Sequence, residues 1–190
     1  SENEPSTRTL DDGSFSISSA ITDAGFVAKT DASTIDTSSG EVLENITLKA
    51  PSGASVVTPT TTIMKEANLS ASEVSRALGL PDTVDPLTFN PFDANADQEA
   101  ALVVEKISQQ IFTTIKTLGA AAEGAGLDAE TAASLATQAL VNTVRTAATS
   151  NANVVVNFAN EADIADATAT FLTIVEQEET FNAMQEFDKI

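Results

Sequence analysis

The stretch "FDANADQEA" places Asp93, Asn95, Asp97 and Glu99 at alternate positions. Hard oxygen donors at this spacing open a calcium loop of the EF-hand kind, whose alternate side chains converge on the ion. The rest of such a loop is missing. Its sixth position holds Gln98 where glycine makes the turn, and its twelfth holds Val104 where a bidentate glutamate closes the shell. The same residues also suit a helix start, with Asp93, Asn95 or Asp97 as the cap and Glu99 against the positive end of the helix dipole. Calcium is thus the one cofactor the sequence suggests, and helix capping competes for the same four side chains.

Other chemistry is narrowed by what the chain lacks. It has no Cys, His, Trp or Tyr, which removes disulfides, thiol and imidazole nucleophile pairs, and imidazole metal sites. Carboxylates, lysines and hydroxyls remain as possible catalysts, and no Asp/Glu pair stands out as an acid and base, so the chain is expected not to be an enzyme. With 9 basic and 28 acidic residues the formal charge is −19. That charge repels phosphate backbones and anionic membrane surfaces, so no nucleic-acid partner is expected. No apolar run is long enough to span a bilayer, so no membrane insertion is expected, and the start at Ser1 suggests a processed chain or a fragment. The 190 residues, 42% of them apolar, can bury a sizeable core.

The elements that must carry these residues follow from period and punctuation. Residues 1–12 are polar, contain Pro5 and show no periodicity, which predicts a linker or arm. "SFSISSAI", with Phe15, Ile17 and Ile21 on one parity, "GFVAKT" and "EVLENITLKA" read as strands, the last with Ile46, Leu48 and Ala50 inward. Thr58-Pro59 reads as an N-cap followed by proline at the first helical position, and Asn68 suits the left-handed end of that helix. Ser70 to Glu73 forms a capping box between Leu69 and Val74, and Gly79 with Pro81 closes the second helix. Val104, Ile107, Ile111, Ile115 and Leu118 recur at helical spacing, as do Ala133, Ala136, Leu140 and Val144 after the cap Asp128. A last helix is predicted from Asn160 or Glu161 with Ile164, Phe171, Leu172 and Val175 inward, followed by Phe181, Met184 and Phe187. Leu87, Phe89 and Phe92 are expected to pin the proline-rich connection to the core. The expected fold is α+β: a small antiparallel β-sandwich-like unit over 13–57, then a helical bundle of four to five helices over 58–190.

The order "GSFSI", "TIDTSSGEVLENITLKAPSGASVVTPTTTIM", "LSASEVSRALGLP" and "DPLTFNPFD", spanning roughly residues 13–110, resembles a module of very large secreted bacterial surface proteins. In that family a small β region leads through a "TPLTTL"-like helix start into a helical part containing "LGLP". The resemblance implies a structural or adhesive role outside the cell or on its surface, with neighbouring modules or copies of the same chain as partners. It carries over no catalytic residue. This chain has Thr60 where the commoner pattern has leucine, and it lacks the glycine-rich nonapeptide repeats associated with calcium. A non-catalytic extracellular module of a surface protein or filament is therefore the expected function. A small-ligand or carbohydrate-binding module is the alternative, disfavoured by the absence of Trp and Tyr for sugar stacking. A carboxylate-based hydrolase comes last.

Overall fold

Thr58 and Pro59 divide the chain into an extended half and a helical one. The Thr58 hydroxyl accepts from the N–H of Thr61 (3.1 Å), and the Thr61 hydroxyl accepts from the N–H of Thr58 (2.8 Å). This reciprocal box satisfies two donors that the first helical turn would otherwise leave open, and Pro59 stands where no donor is needed.

The structure is a computed structural model that describes residues 5–17, 25–37, 39–150 and 154–187, with side chains of the last helix through Glu178. Two strands, β1 (Phe26–Lys29) and β2 (Thr47–Ala50), precede five helices: α1 (Pro59–Ala67), α2 (Ala71–Leu78), α3 (Gln98–Gly124), α4 (Ala129–Thr149) and α5 (Glu161–Phe187). The fold is α+β and mostly helical, as expected.

The β part is smaller than a sandwich. Among the described residues it is one antiparallel pair, running from Phe26 opposite Ala50 to Lys29 opposite Thr47, with a single further bridge between Ile35 and Val42. Ser14 to Ile17, expected as a strand, carries no ladder; Ile21 lies outside the described residues. Local side-chain bonds explain the shortfall. The Asp12 carboxylate accepts from the N–H of Ser14 and that of Asp31 from Ser33, each at 2.9 Å, and such bonds turn the backbone away from extended pairing. Leu43, Ile46 and Phe112 form a small separate apolar cluster that seats the β part on α3.

Helix ends lie where the cap residues put them. Asn68 and Gly79 are left-handed C-caps (φ 54° and 67°), and Ser70, Asp97 and Asp128 are N-caps. Helix α4 is the hub, packing against α1, α2, α3 and α5. Its alanines allow this: Ala132, Ala136 and Ala139 are fully buried, and small side chains let several helices approach one axis. The main core joins Ile63, Val74, Ile111, Leu140 and Val144 with Phe171 of α5. Two expected inward residues of α5 point out: Ile164 is 39% exposed and Leu172 55%. Phe92 is likewise 58% exposed, whereas Leu87 and Phe89 do pack on the core. The side chains of Phe181, Met184 and Phe187 lie outside those described.

Three threonines of α1 are buried, and Thr60 differs from Thr61 and Thr62, whose hydroxyls bond to the Lys49 carbonyl. Thr60 is 4% exposed, and its hydroxyl has no hydrogen-bond partner among the described residues. Thr60→Val keeps the shape and removes the unpaired group, so it is expected to stabilise the protein by about 1 kcal/mol or more in urea unfolding. A loss of stability would show that the hydroxyl is satisfied in solution.

The cap of α4 gives a pH signature. The Thr131 hydroxyl, then its backbone N–H, hold the Asp128 carboxyl below its ordinary value. A folded pKa lowered in this way contributes stability above the unfolded pKa, and that stability is lost as pH falls through the folded value. Asp128→Ala is therefore expected to melt below the wild type at neutral pH, with the gap narrowing at acid pH below the ordinary aspartate range. A constant gap across that range would contradict the assignment.

Candidate functional site

Two of the four residues singled out for calcium, Asp93 and Asp97, are engaged in local hydrogen bonds. Asp97 caps α3, accepting from the N–H of Ala100 at 2.8 Å, and Glu99 lies in the first turn of that helix. Asp93 turns back on its own loop, accepting from the N–H of Asn95 at 2.8 Å and from its side-chain amide at 3.3 Å. All four are exposed, and no group of three or more carboxylates that could hold a metal occurs among the described residues. Thermal melts in calcium and in a chelator are expected to agree within a few degrees, since only an ion held far more tightly by the native state would separate them. A large upward shift with calcium would show a site assembled in solution.

A different set of residues is brought together by the fold. Residues i and i+2 of a strand share a face, so Val27 and Lys29 of β1 stand beside Thr47 and Lys49 of β2. Across from them lie α4 and the C-terminal half of α1. Between these elements runs an open groove of about 420 Å³, lined by Lys29, Lys49, Glu66, Glu130, Gln138 and Arg145 among others.

Each charge in the groove has a partner. Lys49 pairs with Glu66 at 3.0 Å, and Lys29 lies 3.8 Å from Glu130. The Arg145 guanidinium closes the end of α1, donating to the carbonyls of Ala67 (3.1 Å) and Glu66 (2.7 Å) and to the Asn142 side chain (2.9 Å). Those carbonyls are helix-end groups without an intrahelical donor, which a cation serves well. Three cations and two carboxylates give the groove 3 − 2 = +1 in a chain of net −19. It is a local positive field on an acidic surface.

The backbone of the sheet supplies a second feature. Thr30 donates to the carbonyl of Ile46 at 3.0 Å, so hydrogen-bonded pairs fall at Thr30/Ile46, Ala28/Leu48 and Phe26/Ala50. Val27 and Lys49, opposite one another, then direct their N–H and C=O groups away from each other. On the β2 side these groups are taken up: Lys49 donates to the Thr62 hydroxyl (2.9 Å), and its carbonyl accepts from the hydroxyls of Thr61 (3.0 Å) and Thr62 (3.2 Å). On the β1 side the outward groups of Val27 and Lys29 meet no described residue.

Neither feature was legible beforehand. The groove draws on residues from Val27 to Arg145 in four separate elements, and no spacing links them. The open edge lies in "GFVAKT", whereas the alternation in "SFSISSAI" drew attention to the segment before it. No family model, curated protein or solved structure matches this chain.

Proposed function

We propose that the chain is a non-catalytic extracellular module of a bacterial surface protein or filament, joined to neighbouring modules or to copies of itself. The observation that carries this reading is the N-terminal approach to the fold. Pro5 to Leu10 is exposed throughout and has no regular structure; a surface ion pair of Arg8 with Asp31 at 3.2 Å and a turn at Leu10 link it to the rest of the described chain. A segment of this kind connects or exchanges; it adds nothing to its own core. The acidity of the chain supports the same reading, because a high net charge keeps surface proteins soluble and apart unless a specific contact joins them. Among the described residues, no helix is long and apolar enough to cross a membrane.

The test is location. Antibody against the folded chain is expected to label intact cells that produce it, at their surface or on appendages, without permeabilisation. Labelling that appears only after permeabilisation would refute the reading.

The groove supports a second reading, a binding module for a small polar ligand. Thr62, Ser134, Thr137, Gln138 and Asn142 line it with hydroxyls and amides, the groups that orient sugars and other polar molecules. Saturable binding on a glycan array, lost in Gln138→Ala, would favour this reading over the first.

A further inference from the structure

We propose that the outer edge of β1 accepts an extended strand from a second copy of this chain, contributed by the N-terminal segment around Pro5 to Leu10. The proposal rests on the module reading above and names its partner.

The acceptor is defined by backbone geometry. In an antiparallel pair, residues between the hydrogen-bonded pairs turn both polar groups outward, which places those of Val27 and Lys29 on the side of β1 away from β2, where no described residue bonds them. Unpaired N–H and C=O groups in a row are the template on which another strand adds. The opposite edge lacks this property. Hydroxyls of Thr61 and Thr62 occupy Lys49, leaving Thr47 as its only outward residue, too little for a ladder. Val27 is 58% exposed, so the apolar side chain beside the open backbone is also uncovered.

Charge selects the occupant. Lys29 stands on this edge and Lys49 on the neighbouring strand, in a groove that keeps a net charge of +1 with Glu66, Glu130 and Arg145 counted. Residues 5–10 carry Arg8 alone, and acidic residues flank them: with Glu2, Glu4, Asp11 and Asp12 counted, residues 1–12 sum to 1 − 4 = −3, so it is the flanks of the arm that complement the groove. The segment also has suitable residues. Thr7 and Thr9 are β-branched and alternate with Arg8 and Leu10, and Leu10 is 68% exposed.

Its own chain holds the segment beside the ends of β1 by few contacts, and none among the described residues is a backbone bond to Val27 or Lys29. A tight turn, with Leu10 donating to the Ser14 carbonyl (2.8 Å) and Gly13 to the Leu10 carbonyl (2.9 Å), folds it back. Phe15 anchors the far side of that turn on Phe26, ring centres 5.7 Å apart. A donor copy must open this turn and its own Arg8–Asp31 pair before the segment reaches the edge of another copy. The Arg8–Asp31 pair that would have to open has side chains 83% and 51% exposed, and exposed pairs of this kind hold little.

The test uses the full chain and two variants. Val27→Pro removes an N–H that β2 does not use, so the monomer should keep its melting temperature while the edge is blocked. Thr7→Pro with Thr9→Pro spoils the donor and leaves the edge intact. The wild type is expected to sediment as concentration-dependent oligomers between micromolar and millimolar, and each variant alone as a monomer. An equimolar mixture should form a one-to-one dimer, because one variant keeps a donor and the other an acceptor. Amide exchange in the wild type provides a readout that needs no substitution. The Val27 and Lys29 amides should slow on assembly, while that of Ala28, paired with Leu48, is slow throughout.

Wild type that stays monomeric across this range, assembly in which Val27 and Lys29 exchange as fast as in the monomer, or a mixture that fails to associate would overturn the proposal. Oligomers that persist in both variants would do so too, and would leave the module reading standing; failure of that reading shows separately, in the cell-surface labelling.

Discussion

Gly25→Ala is expected to uncouple β1 from β2 and to lower stability by about 3 kcal/mol or more, at the upper end of what forced overpacking costs. A Cβ on Gly25 would stand 1.9 Å from the Ala50 carbonyl oxygen and 2.5 Å from the Lys65 ammonium. The ammonium can swing aside, but the carbonyl belongs to the strand that β1 pairs with, and Lys65 itself donates to it at 3.2 Å. Relief therefore means displacing β1 or losing the contacts that fasten β2 to α1. Urea unfolding followed by circular dichroism checks the stability, and faster exchange of the Ala28 amide checks the location. A change under about 0.5 kcal/mol, typical of an indifferent surface site, would show that the two strands approach less closely in solution.

The second large effect separates two leucines that look alike in sequence. Leu140 of α4 is 1% exposed at the centre of the core, whereas Leu172 of α5 is 55% exposed. Leu140→Ala removes buried methyl groups and leaves a cavity among helices that already pack closely, at a cost of about 3 to 5 kcal/mol. Leu172→Ala is expected to stay within about 0.5 kcal/mol of the wild type. Denaturant unfolding of both proteins under one set of conditions measures the contrast. Similar losses at the two positions would mean that the outer face of α5 is covered in solution.

What could be read from the sequence was what the chain settles over a few residues. The caps Thr58, Ser70 and Asp128 and the left-handed ends at Asn68 and Gly79 were legible because each bond they make closes within about one turn. The stripes on α3 and α4 were legible because a helix inside a bundle repeats its buried face. On α5 the same reasoning misplaced Ile164 and Leu172, since that helix covers α4 on one side only and its apolar residues spread around its surface. The sandwich was over-read because alternating Ser and apolar residues do suit a strand, but Asp12 and Asp31 offered the backbone nearer partners. The candidate surfaces were the least legible. Lys49 meets Thr62 across 13 residues and Arg145 meets Glu66 across 79, and such contacts leave no period or motif behind. The calcium spacing at Asp93, Asn95, Asp97 and Glu99 was real as a pattern, and in the fold Asp97 serves as a cap while Asp93 closes a turn.

Thr61 and Thr62 give this sheet a valence of one. With Lys49 occupied by their hydroxyls, the strand addition proposed above is confined to the β1 side of the pair. A polymer made by strand addition to such a unit would not branch, because the described residues of each copy offer a single acceptor. It is also directional. Donor and acceptor are different surfaces, so the contact is head-to-tail and the two ends of the polymer are chemically distinct. Growth from one end could then be stopped by a copy with a blocked edge, while the other end remained free to extend.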